Sequence, residues 1–185
     1  MVEPAATRAG FVAIIGAPNV GKSTLLNRLV GSKVSIVSPK VQTTRRRVIG
    51  ITIQDGCQVM FVDTPGIFAP SRRLETAMVR AAATGIADAD LVLLLLDVRK
   101  GIDANARLAL AQLQREKRRA FLVINKIDQV SPDRALPLIE AANAAHPFAE
   151  TFIVSALDGD GCDGLMAAVV RAMPEGPWLF PEDQL

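Results

Sequence analysis

The stretch "FVAIIGAPNVGKST", residues 11–24, decides how this chain folds. Five apolar residues, Phe11 to Ile15, predict a buried strand that feeds a glycine loop, and "KSTLLNRLVG" after the loop predicts a helix stopped at Gly31. Between them, Gly16, Gly21, Lys22 and Ser23 match G-x-x-x-x-G-K-[ST] at every fixed position. In that setting the pattern has a mechanism. Gly16 and Gly21 let the backbone curl so that successive N–H groups, including those of Asn19, Val20 and Thr24, face phosphate oxygens, and the following helix adds the positive end of its dipole. Lys22 is expected to reach the β- and γ-phosphates, and the Ser23 hydroxyl to coordinate Mg²⁺.

Outward from this loop, strand and helix signals alternate. "VIGITI" and "CQVMFVD" are β-rich runs joined through Asp55-Gly56, a hairpin signal that makes them antiparallel. A helix over about 71–86, the strand "LVLLLLDV", a helix over about 104–117, the strand "AFLVIN", a helix over about 132–145, the strand "TFIVSA" and a helix over about 164–173 follow. This order predicts an α/β three-layer sandwich around a six-stranded, mostly parallel sheet with one antiparallel edge strand. The expected organisation is an N-terminal extension at 1–9, a nucleotide-binding domain at 10–173, and a linker at 174–185. Pro174, Pro177 and Pro181 exclude a helix from the linker. It reads as leading away from the domain, with Trp178 and Phe180 either packed back on it or touching a further module.

Composition narrows the class. Of 185 residues half are apolar, few are aromatic, and the net charge is only +2, so bulk charge gives no reason to expect polyanion binding. Cys57 and Cys162 lie far apart and in no Cys/His cluster, which excludes a disulfide framework and a zinc site. The longest apolar run, "ADLVLLLLDV", is too short to span a bilayer, and "MVEPAATRAG" does not read as a signal peptide. The expectation is a soluble cytoplasmic protein. The single histidine, His146, ends a helix before a proline and is expected to cap it.

Three further motifs follow the loop in order. "FVDTPG" puts Asp63 at a strand end, where it can hold Mg²⁺ through water, and Gly66 three residues on, where its N–H can sense the γ-phosphate. "VINKID" places Asn125, Lys126 and Asp128 at the end of the fifth strand. A carboxylate there can accept the N1–H and N2–H₂ donors of guanine, neither of which adenine offers, so the nucleotide is GTP or GDP. "SAL", Ser155 to Leu157, supplies a loop whose Ala156 N–H can bond guanine O6.

With "GAPNVGKS", "DTPG", "NKID" and "SAL" in this order, the chain resembles the Ras-like translation-factor class of P-loop GTPases. "KVSIVSPKVQTTRRRVIGI", "DTPGIFAPSRRL" and "PEGPWLFPEDQ" make it similar to the Era family of ribosome-associated GTPases. The resemblance implies a GTP-hydrolysing switch, monomeric and cytoplasmic, whose C-terminal KH domain binds ribosomal RNA of the small ribosomal subunit during its maturation, with peripheral membrane association implied by family alone. The chain is expected to carry neither the GXXG loop of a KH module nor base-stacking aromatics, so no direct RNA site is assigned to it. By the same resemblance Thr44, rather than Thr43, gives Mg²⁺ a hydroxyl, and Lys22, Asn19 and Gly66 act in catalysis. Ile67 stands where Ras-type proteins carry the glutamine that orients water. Asn19 either stabilises the loop's turn or binds a K⁺ that acts where an arginine finger would. Alternatives are a nucleotide-gated binding module with negligible turnover, or a related tRNA-modifying or tandem-domain GTPase.

Overall fold

The computed structural model describes residues 7–31, 48–62 and 86–181. Six strands, β1 (Arg8–Gly16), β2 (Val48–Gln54), β3 (Cys57–Val62), β4 (Leu91–Asp97), β5 (Ala120–Asn125) and β6 (Glu150–Ile153), form one sheet in the order β2-β3-β1-β4-β5-β6. β2 lies at one edge and runs antiparallel to β3, and the remaining pairs are parallel. This is the predicted sheet. Asp55 and Gly56, both at positive φ, make the hairpin turn between β2 and β3.

The strands are apolar on both faces because both faces are covered. Val12 and Ile14 of β1, Leu91, Leu93 and Leu95 of β4, and Phe121 and Val123 of β5 join α1 (Lys22–Val30) and α4 (Cys162–Ala172) in one core. The alternate residues Ala13, Ile15, Val92, Leu94, Leu96, Leu122 and Ile124 face α2 (Ala104–Glu116) and α3 (Ala135–Ala145) in a second. Strand periodicity thus divides a continuous run such as "LVLLLLD" between two layers of helix. The predicted helix over 71–86 lies almost wholly outside the described residues. A G-x-x-G run does occur, Gly161 to Gly164, but it caps and opens α4 on the core and is no KH loop.

Local chemistry moves several element ends. α3 begins three residues late because Pro132–Arg134 forms a 3₁₀ turn first. β6 ends at Ile153, short of the expected Ala156. There the Ser155 Oγ accepts from the Asp158 N–H at 3.1 Å and Ser155 N–H donates to Asp160 O at 3.0 Å, a tight turn that competes with the ladder. His146 does end α3, through its backbone N–H to Ala142 O at 3.0 Å, while its ring is buried edge-on against Phe148 at 4.9 Å. Burial pushes the imidazole pKa down, so the ring is held neutral rather than as a charge against the helix dipole.

Residues 174–181, the part of the expected linker among the described residues, lie against the domain, with Trp178 and Phe180 in contact with it. Ala9 N–H donates to Pro174 O at 3.2 Å and Gly176 N–H to Thr7 O at 2.9 Å, so the tail lies along β1, which begins at Arg8 rather than at Phe11. Further on, the buried Gln58 amide clasps the tail backbone: Nε2 donates to Phe180 O at 2.8 Å, and Oε1 accepts from Leu179 N–H at 2.9 Å and Phe180 N–H at 3.0 Å. The Phe180 ring is buried against Ile51 and Met60, contributing about 2 kcal/mol by its apolar area. Trp178 Nε1 donates to Gly56 O at 3.0 Å.

Candidate nucleotide-binding site

The predicted motifs among the described residues, the phosphate loop, "NKID" and "SAL", converge at the carboxyl ends of β1, β5 and β6, joined by the end of β4. The phosphate loop, residues 16–21, is fixed by backbone geometry. Gly16 has φ 155, Asn19 φ 62 and Gly21 φ 105. A Cβ on Gly16 would stand 2.7 Å from Leu95 O, and one on Gly21 would stand 2.3 Å from the Asn125 Nδ2, so neither position admits a side chain without displacement. Val20, buried, anchors the loop in the core beside α1. α1 begins with Gly21 as its N-cap, which offers no side-chain acceptor to the first-turn N–H groups, in contrast to α2, where Asp103 Oδ1 accepts from Ala106 N–H at 2.8 Å. An anion is the natural partner for such an end.

Lys22 Nζ donates to Gly16 O at 2.9 Å and Ala17 O at 2.8 Å, which folds the ammonium over the loop. Burial lowers its pKa, the direction expected for a cation partly withdrawn from water. Ser23 and Thr24 are exposed on the first turn of α1. Thr44, Asp63 and Gly66, predicted for Mg²⁺ and the γ-phosphate, lie outside the described residues, as do Thr43, Ile67 and Arg45 to Arg47. Ser23 is therefore the single predicted metal ligand in the described structure, and its exposed hydroxyl at the loop's edge fits that role. Among the described residues no three His, Cys, Asp or Glu side chains cluster as a metal site.

On the base side, Asn125 closes β5 with its side chain buried. Its Nδ2 donates to Val20 O at 2.9 Å and its Oδ1 accepts from Ala156 N–H at 3.0 Å, so one amide ties the phosphate loop to the loop after β6. Lys126, at φ 68, sends Nζ to Asn19 O at 2.7 Å. Asp128 follows on the 3₁₀ turn Ile127–Gln129 with its side chain exposed. The arrangement brings together every described residue predicted for the nucleotide: Gly16, Asn19, Val20, Gly21, Lys22, Ser23, Thr24, Asn125, Lys126, Asp128, Ser155, Ala156 and Leu157. It differs in one donor. The Ala156 N–H assigned to guanine O6 is engaged with Asn125, and the next backbone donor, Leu157 N–H, has no protein partner among the described residues.

Sequence reading missed Asp97 and Arg28. Asp97 ends β4 with its side chain 2% exposed and receives Arg99 N–H and Nε on Oδ1 at 2.9 and 3.0 Å, Arg99 Nη2 on Oδ2 at 2.7 Å, and Lys126 Nζ at 3.0 Å. Burial opposes its ionisation, but these hydrogen bonds outweigh it and hold the carboxyl well below the usual carboxylate range. It thereby fixes the Lys126 stem beside the loop. The one available signal was an acid closing an apolar strand in a sheet whose ligand end carries the motifs. Arg28, on α1, donates to the carbonyls of Ala156 at 3.2 Å and of Leu157.

Comparison with known proteins agrees with this geometry. The family described as 50S ribosome-binding GTPase matches residues 11–126. The chain is 57% identical to the GTPase Era of Afipia carboxidovorans over 179 residues, 97% of this chain and 58% of that protein. It is 55% identical to the GTPase Era of Bradyrhizobium diazoefficiens over 182 residues, 98% of this chain and 59% of that protein. Among solved structures, Era in complex with MgGDPNP and nucleotides 1506–1542 of 16S ribosomal RNA superposes with TM-score 0.81 at 41% identity, over 96% of this chain and 61% of that one. A point variant of Aquifex aeolicus Era bound to GDP.AlF4- gives TM-score 0.80 at 42% identity, over 96% of this chain and 61% of that one. The chain thus spans less than two thirds of the length of the curated relatives it matches.

Proposed function

The chain belongs to the 50S ribosome-binding GTPase family, and on that premise we propose that it is a guanine-nucleotide switch that hydrolyses GTP to GDP and phosphate. The observation that carries this reading is the Asn125 amide, which joins the phosphate loop at Val20 to the loop at Ala156 and so sets cradle and base pocket at a fixed spacing. In this reading the 16–21 loop and Lys22 bind the phosphates, the Lys126 stem lies along the base, Asp128 accepts the guanine N1–H and N2–H₂, and the loop after β6 faces O6. Ser23, with Thr44 and Asp63, would hold Mg²⁺, which neutralises charge developing on the transferred phosphoryl group. Gly66 senses the γ-phosphate.

Asp128→Asn tests the base assignment. The amide presents a donor to the C2 carbonyl of xanthine, so the variant should lose guanine and gain xanthine nucleotide, measured by competition for bound radiolabelled GDP. Unchanged GDP affinity would overturn it.

The finer assignment is a monovalent ion. Asn19 turns its backbone carbonyl to Lys126, and its residue is exposed, leaving its side-chain carbonyl to ligate K⁺ beside the phosphates. Single-turnover hydrolysis in K⁺ should exceed that in Na⁺ by about tenfold, equivalent to about 1.4 kcal/mol of transition-state stabilisation. Asn19→Ala should remove most of this difference and leave GTP binding nearly intact. Equal wild-type rates in the two salts would sink the ion's role.

In the longer protein, the domain over 10–173 would govern a C-terminal RNA-binding module reached through 174–185, acting with the ribosomal RNA of the small ribosomal subunit. Support comes from the length of the relatives and from the similar Era bound to a 16S fragment. We place the protein in the cytoplasm, as a monomer; both cysteines are buried free thiols, and no described helix is long and apolar enough to cross a membrane.

A further inference from the structure

We propose that Arg28 is a positioning residue for base recognition, orienting the Leu157 N–H as the donor to guanine O6; this rests on the guanine-nucleotide reading above. Arg28 lies on α1, the helix that opens at the phosphate loop with Lys22. Its Nε donates to Ala156 O at 3.2 Å, and its Nη2 donates to Leu157 O. The guanidinium fork therefore grips two successive peptide carbonyls of the loop after β6. A trans peptide is planar, with its C=O and N–H pointing in opposite directions. Fixing Ala156 O on α1 therefore fixes the direction of the Leu157 N–H, which belongs to the same peptide unit. A cation on the carbonyl also polarises the amide and makes its N–H a stronger donor.

The loop is braced from its other side by its own turn. Ser155 Oγ accepts from Asp158 N–H at 3.1 Å, and Gly159 N–H donates to Ser155 O at 2.8 Å. Ala156 N–H is held by Asn125. With Ala156 N–H taken up by Asn125, Leu157 N–H is the donor this loop turns to a purine, and Arg28 sets its aim. Arg28 joins the helix under the phosphates to the loop over the base, so the two ends of a guanine nucleotide would be registered through one side chain.

The test compares GDP with the diphosphate of 2-aminopurine riboside, which lacks O6, on the full chain. Release of radiolabelled GDP from Arg28→Ala should be about fivefold faster than from wild type, the factor for a partly solvated hydrogen bond of about 1 kcal/mol. Release of the 2-aminopurine nucleotide should change less than about twofold. Arg28→Lys keeps the charge but not the planar fork and should recover part of the GDP loss. Equal acceleration for both nucleotides would mean a merely structural role and overturn the proposal, as would GDP release indifferent to Arg28→Ala in a guanine-selective wild type. A wild type that does not prefer GDP to ADP would overturn the underlying guanine reading instead.

Discussion

Asp97 is kept ionised by four donors on two residues, and that sets what its removal does. Asp97→Asn should lower stability by about 2 kcal/mol, measured by chemical denaturation, because Lys126 and the exposed Arg99 keep their charges but lose the carboxylate, and the amide NH₂ cannot accept from them. Guanine-nucleotide affinity should fall with it, since Lys126 is then held at Asn19 O alone. His146 gives a pH prediction of definite sign. Its folded pKa is lowered by burial, so below the unfolded value near 6.5 the unfolded chain binds the extra proton and stability falls as pH drops. As the chain has one histidine, urea midpoints from pH 7 to pH 5 should fall more steeply in wild type than in His146→Gln. At this scale "NKID" was legible because its residues adjoin one another and serve one loop. Asp97 was not, because its partners come from the next turn and from the end of the neighbouring strand, and an acid at the end of "LVLLLLD" looks like any strand terminus.

The loop and the helix it opens show the strongest link from local sequence to structure. Strand, glycine turn and helix are contiguous, and each is dictated within a few residues, so Arg8–Gly16 and Lys22–Val30 stand where the pattern put them apart from the first strand's early start. Gly21→Ala tests how closely the loop is packed. At φ 105 with Asn125 Nδ2 2.3 Å from the added carbon, the substitution should cost about 1–3 kcal/mol. It should also weaken GDP binding by more than about tenfold, read by equilibrium dialysis, because the Asn125 amide that spaces the two loops must move. The loop after β6 was less legible. "SAL" marked the place, but which of its N–H groups is engaged depends on Asn125, thirty-one positions away in sequence.

At the scale of the molecule, the continuous apolar runs of β1, β4 and β5, with helix patterns between them, were enough to predict a sheet covered on both faces, and the hairpin gave its antiparallel edge, while the order of the strands came only with the structure. The tail was where sequence reading fell short. Three prolines excluded a helix, but nothing local showed that Gln58, on β3, would supply hydrogen bonds to residues 179 and 180. Gln58→Leu should free this clasp: limited proteolysis should cut near residues 176–181 at least about tenfold faster, and global stability should drop by about 1–3 kcal/mol from the unpaired tail amides. Equal cleavage rates would mean that Phe180 and the Trp178 hydrogen bond hold the segment without Gln58. The clasp has an optical consequence. The chain has one tryptophan and no tyrosine, and that tryptophan, Trp178, sits in the tail with its indole N–H on the hairpin turn. Intrinsic fluorescence therefore reports the departure of the tail, while far-UV circular dichroism reports the sheet and helices, and a gap between the two unfolding curves would measure how independently the tail leaves.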